Sequence, residues 1–260
     1  MSLYERRGRT STFVGLKNFQ LIFDQSTYLG SEFINSLKVT FTYVFVTVPL
    51  ILIVSLLIAY VLALKIKGVG FFRTSFYMPT VLGANVAIIV LWRYIFEYNG
   101  LINQGLKLLG FAPISFLGTA AGAMTSIVLL RVWQFGSTML IFLNALKNVP
   151  ETLYEAATID GASKFRQFFS VTIPMITPII LFNGVMRLVE TFQVFNGPVL
   201  ITNGGPERST NVINKLIYDI AFLGGDLNVG TAMSWVLFVI IMMFTILIFR
   251  SSRYWVHYQD

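Results

Sequence analysis

Residues 155–174 read EAATIDGASKFRQFFSVTIP. Within twelve residues this stretch carries two acids, Glu155 and Asp160, and two bases, Lys164 and Arg166, and long apolar runs flank it on both sides. Such polarity is foreign to the rest of the chain. Of its 260 residues 12% are charged and 55% hydrophobic, with a mean hydropathy of +0.72. A soluble domain carries roughly 25% charged residues, so lipid is the natural solvent for most of this sequence. What, then, does a polar, helix-forming segment do between two apolar ones?

Local signals give the segment its shape. Pro150 suits a first helical turn, and Glu151 and Glu155 suit that turn's positive end. The run ETLYEAATI (151–159) predicts a short helix, which Gly161 stops. Ser163 can cap a second short helix, KFRQFF, before Pro174 marks entry into the next apolar run. Leu153 and Ala157, four apart, form a small apolar face. Two short helices of this kind would fit the groove of a soluble partner; the plainer alternative is a solvated amphipathic loop.

Crossing the hydrocarbon takes about 20 mainly apolar residues as a helix. Stretches near Phe33–Leu64, Tyr77–Phe96, Ala120–Leu146, Ile173–Ile201 and Val229–Phe249 qualify, which predicts five spans. The first contains Pro49, an expected kink. The fourth is interrupted by Gly184 and by Gly197-Pro198. Several are rich in Val, Ile and Phe, but they are too long for strands and show no alternation, so helix is the reading. Lys65, Lys67 and Arg73, then Lys147, Lys164 and Arg166, then Arg250 and Arg253 fall in one set of short loops and the tail. By the positive-inside rule that set, with the C-terminus, is cytoplasmic. Five spans then place the N-terminus outside, although it carries Arg6, Arg7, Arg9 and Lys17. The discrepancy predicts a further span ahead of this sequence. Three shorter pieces look interfacial or packed on the outer surface: Leu16, Phe19 and Phe23; Leu101, Leu108 and Leu109; and Ile213, Leu216, Ile217 and Ile220, with Lys215 and Asp219 four apart on another side.

Several function classes have nothing to stand on. With no cysteine there are no disulfides and no thiolate metal sites. The single His257 sits in a basic, aromatic tail and reads as solvated or interfacial. A net charge of +7 could suggest nucleic acid, but the bases are scattered between apolar runs and mark loops. Residues 1–13 have no apolar core and are not a signal peptide. The segment GLKLLGFA (105–112) has the glycine spacing of a phosphate-cradling loop but lacks its lysine and hydroxyl, so no ATP site of that kind is expected. No zinc-protease or nucleophile-elbow pattern occurs. The chain reads as a non-enzyme with no cofactor and no metal centre.

The spacing within the opening segment is more specific than its composition. Glu155-Ala156-Ala157, three residues, Gly161, nine residues, then Val171-Thr172-Ile173-Pro174 resembles the EAA loop of ABC-importer permeases, E-A-A-x3-G-x9-I-x-L-P. Val171 stands for Ile and Ile173 for Leu. FVGLKNFQLIFD (13–24), FFRTSFYMPTVLGANVAIIVLWRYIF (71–96), FLNALKNVPETLYEAATIDGAS (142–163) and VLITNGGPERST (199–210) are similar to the carbohydrate-uptake branch, the maltose and glycerol-3-phosphate type. The likeness covers residues 11–255. It implies an all-helical type I importer transmembrane domain at residues 31–250, with a coupling loop at 147–174, an outer segment at 1–30 and a cytoplasmic tail at 251–260. It implies a multi-pass subunit of a prokaryotic cell membrane that works with a second homologous permease, two ATPase subunits and an extracytoplasmic solute-binding protein. Glu155, Ala156, Ala157, Asp160, Gly161 and Pro174 would couple it to the ATPase. Family members have a span before VGLKNF, which matches the missing span inferred from charge.

A solute path can be sought among polar residues at membrane depth, which are costly and tend to face a pore or a partner. Asn183, Arg187 and Glu190 lie at i, i+4 and i+7 of the fourth span, and Gln193 and Asn196 continue near them. Phe192 and Phe195 would add aromatic faces suited to sugars. The alternative is an Arg187–Glu190 pair that only locks helices together. Arg131 and Gln134 share a face of the third span, and Asn85 and Ser234 are single polar residues. A secondary transporter driven by an ion gradient would show a buried carboxylate pair and internal repeats, whereas only Glu190 falls within a span. An ABC importer subunit for a non-sugar solute, and a membrane scaffold that would not need the EAA spacing, complete the alternatives.

Overall fold

Apolar runs of this length can bury their backbone groups in lipid only as helices, and helices dominate the computed structural model, which describes residues 1–7, 10–64, 68–83 and 85–257. The chain opens with a two-stranded antiparallel hairpin, β1 (Tyr4–Arg7) and β2 (Thr10–Phe13), paired Tyr4 to Phe13 and Arg7 to Thr10. This hairpin lies ahead of the all-helical domain expected at residues 31–250, and strands of four residues are too short to show a period. Then follow α1 (Lys17–Phe23), α2 (Tyr28–Ala63), α3 (Val69–Leu82), α4 (Val86–Phe96), α5 (Leu101–Leu108), α6 (Ala120–Trp133), α7 (Gly136–Lys147), α8 (Glu151–Ile159), α9 (Lys164–Gln167), α10 (Ile173–Phe192), α11 (Ile213–Tyr218) and α12 (Leu227–Ser252).

Three helical stretches are long and apolar enough to cross a membrane alone: Tyr28–Ala63, Lys164–Phe192 and Leu227–Ser252. Two more candidates are broken helix pairs, Val69–Leu82 with Val86–Leu108 and Ala120–Trp133 with Gly136–Lys147, so the count reaches five when each pair is one span. Each expected stretch overlaps one of these candidates, but the fourth runs from Lys164 to Phe192 rather than to Ile201, and the second and third are bent pairs. Gly83 closes α3, and Asn85 restarts the chain as N-cap of α4, its Oδ1 accepting the Ala87 N–H at 2.8 Å. Pro49 and Gly184 interrupt nothing: α2 and α10 run through them. Lys65 and Lys67, read as cytoplasmic charges, lie outside the described residues, as does Arg9.

The chain divides into two units that alternate along it. The first holds residues 1–46, 84–130 and 190–243. There α1 ends at Asp24, whose carboxylate accepts the Ser26 hydroxyl at 2.6 Å and the Ser26 N–H at 3.0 Å. Those bonds, the hydroxyl's first, hold the Asp24 carboxyl below its ordinary value. The Ile213 N–H at the head of α11 is satisfied by the Thr40 hydroxyl of α2 at 2.9 Å. Lys215 and Asp219 pair at 2.6 Å, as their spacing suggests, but Lys215 is buried with Ile213 and Leu216 rather than set on an outer face.

The second unit holds residues 47–83, 131–189 and 244–260. Its core gathers Ala59 and Leu62 of α2, Met139, Phe142, Leu143 and Leu146 of α7, Phe135 just before α7, and Ile176 of α10. Over residues 48–63 of α2 the sequence is almost wholly apolar, yet the faces differ. Ile51, Ser55, Ala59 and Leu62 are buried, while Ile53, Leu57 and Val61, four apart, are at least half exposed and face outward as a lipid-suited stripe. In lipid this sorting gains little from hydrophobicity, because the surroundings are as apolar as the side chains. Close packing and internal hydrogen bonds hold the helices instead.

Candidate functional site

The polar segment forms two helices, as its caps predict. Pro150 opens α8 in an extended conformation (φ −58°, ψ 131°), and Glu151 sits in its first turn. Asp160 closes α8 and Gly161 follows at φ +74°, the left-handed conformation. The Gly161 N–H donates to the Thr158 carbonyl at 3.0 Å and the Ala162 N–H to the Ala157 carbonyl at 2.9 Å, the paired bonds of a Schellman ending. These bonds give Ala157 and Gly161 a structural reason for their places. Ser163 caps α9, its Oγ accepting the Arg166 N–H at 3.3 Å.

Beyond α9 the expected break at Pro174 is absent. A π-helical turn, Phe168–Thr172, joins α9 to α10, so the chain is helical from Lys164 into the span. The wider turn lies just before Pro174, which has no N–H to continue an α ladder. Two side-chain bonds tie α8 down to this helix: Tyr154 and Thr172 hydroxyls meet at 2.9 Å, and Gln167 Nε2 donates to the Thr158 hydroxyl at 2.9 Å. α8 itself buries no residue. Glu155, Ala156 and Asp160 are exposed, and so are Ile159 (87%) and Phe165 (75%), two large apolar side chains on a polar segment. From the other end of the chain, the His257 N–H donates to Thr177 Oγ1 at 2.9 Å, and that hydroxyl donates to the Pro174 carbonyl at 2.7 Å, so the tail is pinned to the head of α10.

The polar stripe is less uniform than its spacing suggests. In the second unit, Asn183 is buried and its Nδ2 donates to the Ile179 carbonyl of its own helix at 3.1 Å. Arg187 Nη2 donates to the Ser137 hydroxyl of α7 at 2.9 Å. In the first unit, Glu190 is exposed near the end of α10, which stops at Phe192. Gln193 and Asn196 are also exposed but lie past that end, off the helical stripe. Asn214 closes this end, its Nδ2 donating to the Phe192 and Val194 carbonyls at 3.2 and 3.3 Å. Phe192 is buried in a T-shaped contact with Phe41, so it serves packing, and the half-buried Phe195 lies tilted beside Tyr218 with centroids 5.3 Å apart.

The chain as a whole has relatives among known proteins. The profile of the "Binding-protein-dependent transport system inner membrane component" family matches residues 28–257. The chain belongs to that family. Over 252 residues it is 41% identical to the probable ABC transporter permease protein YesP of Bacillus subtilis, covering 95% of this chain and 80% of the relative. Over 248 residues it is 34% identical to the trehalose/maltose transport system permease protein MalF of Thermococcus litoralis, covering 93% and 80%. A crystal structure of a bacterial ABC transporter involved in alginate import superposes with a TM-score of 0.78 at 22% identity, over 93% of this chain and 84% of that one. At that identity the likeness concerns the fold, which is that of an ABC importer's membrane subunit.

One cluster in this inner-membrane component escaped the sequence reading. The buried Glu32 of α2 is ion-paired with Arg208, whose Nη2 also donates to the Tyr28 hydroxyl at 2.7 Å and whose guanidinium lies 4.9 Å from the Tyr28 ring centre. Asn211 donates to Ser36 Oγ at 3.3 Å. The cluster lines a cavity of about 360 Å³ together with Lys215 and Asp219. Arg208, Glu207 and Asn203 all adopt left-handed backbone conformations. The Glu32 partner of Arg208 and the Ser36 partner of Asn211 lie more than 170 positions away, so no local signal could have joined them.

Proposed function

We propose that this chain forms, with a second permease of its kind, the membrane path of an ATP-driven importer that moves a sugar or sugar-like solute into the cell. Two ATPase chains supply the energy by docking on α8, and an extracytoplasmic binding protein delivers the solute. In this reading the coupling loop and the C-terminal tail are cytoplasmic, and residues 1–30 are extracytoplasmic. The observation that carries the proposal is the state of α8. A nine-residue helix that buries nothing is marginal on its own, and here it is held by caps and by Tyr154 while Ile159 and Phe165 stay exposed. Exposed apolar side chains of this size on a polar surface suit a protein partner. Family membership supports the binding protein as a partner, and the relative named for trehalose and maltose supports a carbohydrate.

Glu155, Ala156, Ala157, Asp160, Gly161 and Pro174 then serve the ATPase contact, Glu155 by charge and Gly161 by shape. Asn183, Arg187, Glu190, Gln193 and Asn196 border the solute path. Among them Gln193 and Asn196 offer exposed amides for sugar hydroxyls, whereas Asn183 and Arg187 act through the bonds that already hold them. The test is co-purification of the ATPase with Glu155→Lys and Gly161→Val variants that insert normally. Loss of the ATPase from both is expected; full retention in both reduces the segment to a connector.

A further inference from the structure

A helix broken at membrane depth leaves backbone carbonyls that only protein can satisfy. The gap between α6 and α7 is Gln134 and Phe135. The Gln134 carbonyl accepts the Thr80 hydroxyl of α3 at 3.2 Å, and the Phe135 carbonyl, which already accepts the Met139 N–H of α7 at 3.0 Å, takes the Ser55 hydroxyl of α2 as a second donor at 3.3 Å. In the other direction, Gln134 Nε2 donates to the carbonyl of Gly83, the residue that ends α3, at 3.1 Å, while Gln134 Oε1 accepts from Arg131 at 3.3 Å. The two breaks therefore satisfy each other. Two glycines make the approach possible. A Cβ on Gly83 would stand 2.5 Å from Gln134 Nε2, and one on Gly136 would stand 2.6 Å from the Phe76 carbonyl and 2.7 Å from Thr80 Oγ1. Phe76 and Phe135 close the contact with ring centres 5.9 Å apart.

We infer that Gln134 is a positioning residue for transport: it clasps α3 to the head of α7, so that the two half-helices and α8 move as one body. The inference rests on the reading of α8 as the ATPase contact. α7 is a rod about 18 Å long, with the clasp at one end and only residues 148–150 between its other end and α8. Along the chain, α3 is separated from α7 by both breaks, α4, α5 and α6. Through the clasp it is one hydrogen bond away. A displacement imposed on α8 thus reaches the second span directly through Gln134, Thr80 and the Gly136 contact. Without the clasp, α7 can move while α3 stays behind, and hydrolysis proceeds without opening the path.

The experiment uses the whole importer in lipid nanodiscs and vesicles, with spin labels on the exposed Thr74 of α3 and Thr152 of α8 and a third on the ATPase chain that docks on the second permease rather than on this α8. In the parent protein, ATP should move both permease labels relative to the ATPase label while the Thr74–Thr152 distance stays fixed. Gln134→Met, which keeps length but loses the polar amide, should let that distance change with ATP and raise the ATP hydrolysed per solute several-fold. Thr80→Val should do the same, with Thr80→Ser restoring the parent behaviour. Gly83→Ala, which removes no polar group but crowds the amide, should match Gln134→Met. Each variant is first shown to assemble and to melt as the parent does; if Gln134→Met does not assemble, Thr80→Val against Thr80→Ser decides. A Thr74–Thr152 distance that changes with ATP in the parent overturns the clasp, as does a parent-like hydrolysis ratio in both Gln134→Met and Thr80→Val. If ATP shifts neither label relative to the ATPase, the reading of α8 falls and the clasp falls with it.

Discussion

Replacing Gly161 should weaken the ATPase contact by a predictable amount. The residue sits at φ +74°, and a Cβ built there meets nothing within 4 Å. No collision adds to the cost, which is therefore that of the backbone alone, roughly 1–2 kcal/mol for a residue forced into the left-handed region. That is a factor of roughly 5–30 in the population of the capped form. The chain can escape the strain only by releasing the Gly161 and Ala162 N–H bonds, which unwinds the last turn of α8 around Ala157 and Thr158. Gly161→Ala should thus lower ATPase affinity about 5–30-fold, Gly161→Val at least as much, and Gly161→Asn less, because Asn tolerates this conformation. The assay is titration of the ATPase onto the permease pair in nanodiscs, with hydrogen exchange of residues 157–162 alongside. Faster exchange confined to that turn should accompany the lost affinity. Parent-like affinity in Gly161→Ala, or an Asn variant worse than Ala, would refute the reasoning.

Tyr154→Phe and Thr172→Val should each cost about 1 kcal/mol of local stability by removing one hydroxyl of a bonded pair. The double variant should cost little more than either single one, and additive losses in hydrogen exchange would count against the tie. Arg208→Ala leaves the Glu32 carboxylate buried without its partner, a loss of about 3–5 kcal/mol for a fully buried pair. Because half of the Arg208 side chain is exposed, about 2 kcal/mol is expected instead. Glu32→Gln leaves only an exposed cation behind and should lower the melting temperature less; the reverse order would show that the pair is not what holds the loop. Gln193→Ala and Asn196→Ala should leave assembly intact and alter uptake or the range of sugars accepted. If both variants transport as the parent does, these amides belong to packing.

Features fixed by neighbouring residues were the ones open to sequence reasoning. The α8 ending at Gly161, the Ser163 cap and the positions of the apolar spans all depend on residues within a few places of one another. Breaks inside spans were not open in the same way. Gln134 and Phe135 look like any polar and apolar pair in a long run, and what ties the break down is the Thr80 hydroxyl on the Gln134 carbonyl and the Gln134 amide on the Gly83 carbonyl, both bonds to another helix. The end of the polar stripe is set in a similar way: Asn214, arriving from the next segment, closes α10 at Phe192 and leaves Gln193 and Asn196 beyond it. Phe192 and Phe195 suggest a sugar platform by adjacency alone, but Phe192 is buried and Phe195 is half-buried beside Tyr218. Pro174, with no N–H to give, suggests a boundary, whereas a π turn carries the helix into it.

Uptake into sealed vesicles tests the central claim most directly. The chain is reconstituted with its partner permease, the ATPase and the binding protein, and entry of a labelled disaccharide is followed with ATP on the ATPase side. Inward movement that requires all four components and ATP, and that Glu155→Lys abolishes while the protein remains inserted, is the predicted result. Sugar entry driven by an ion gradient through this chain without the ATPase would contradict the account.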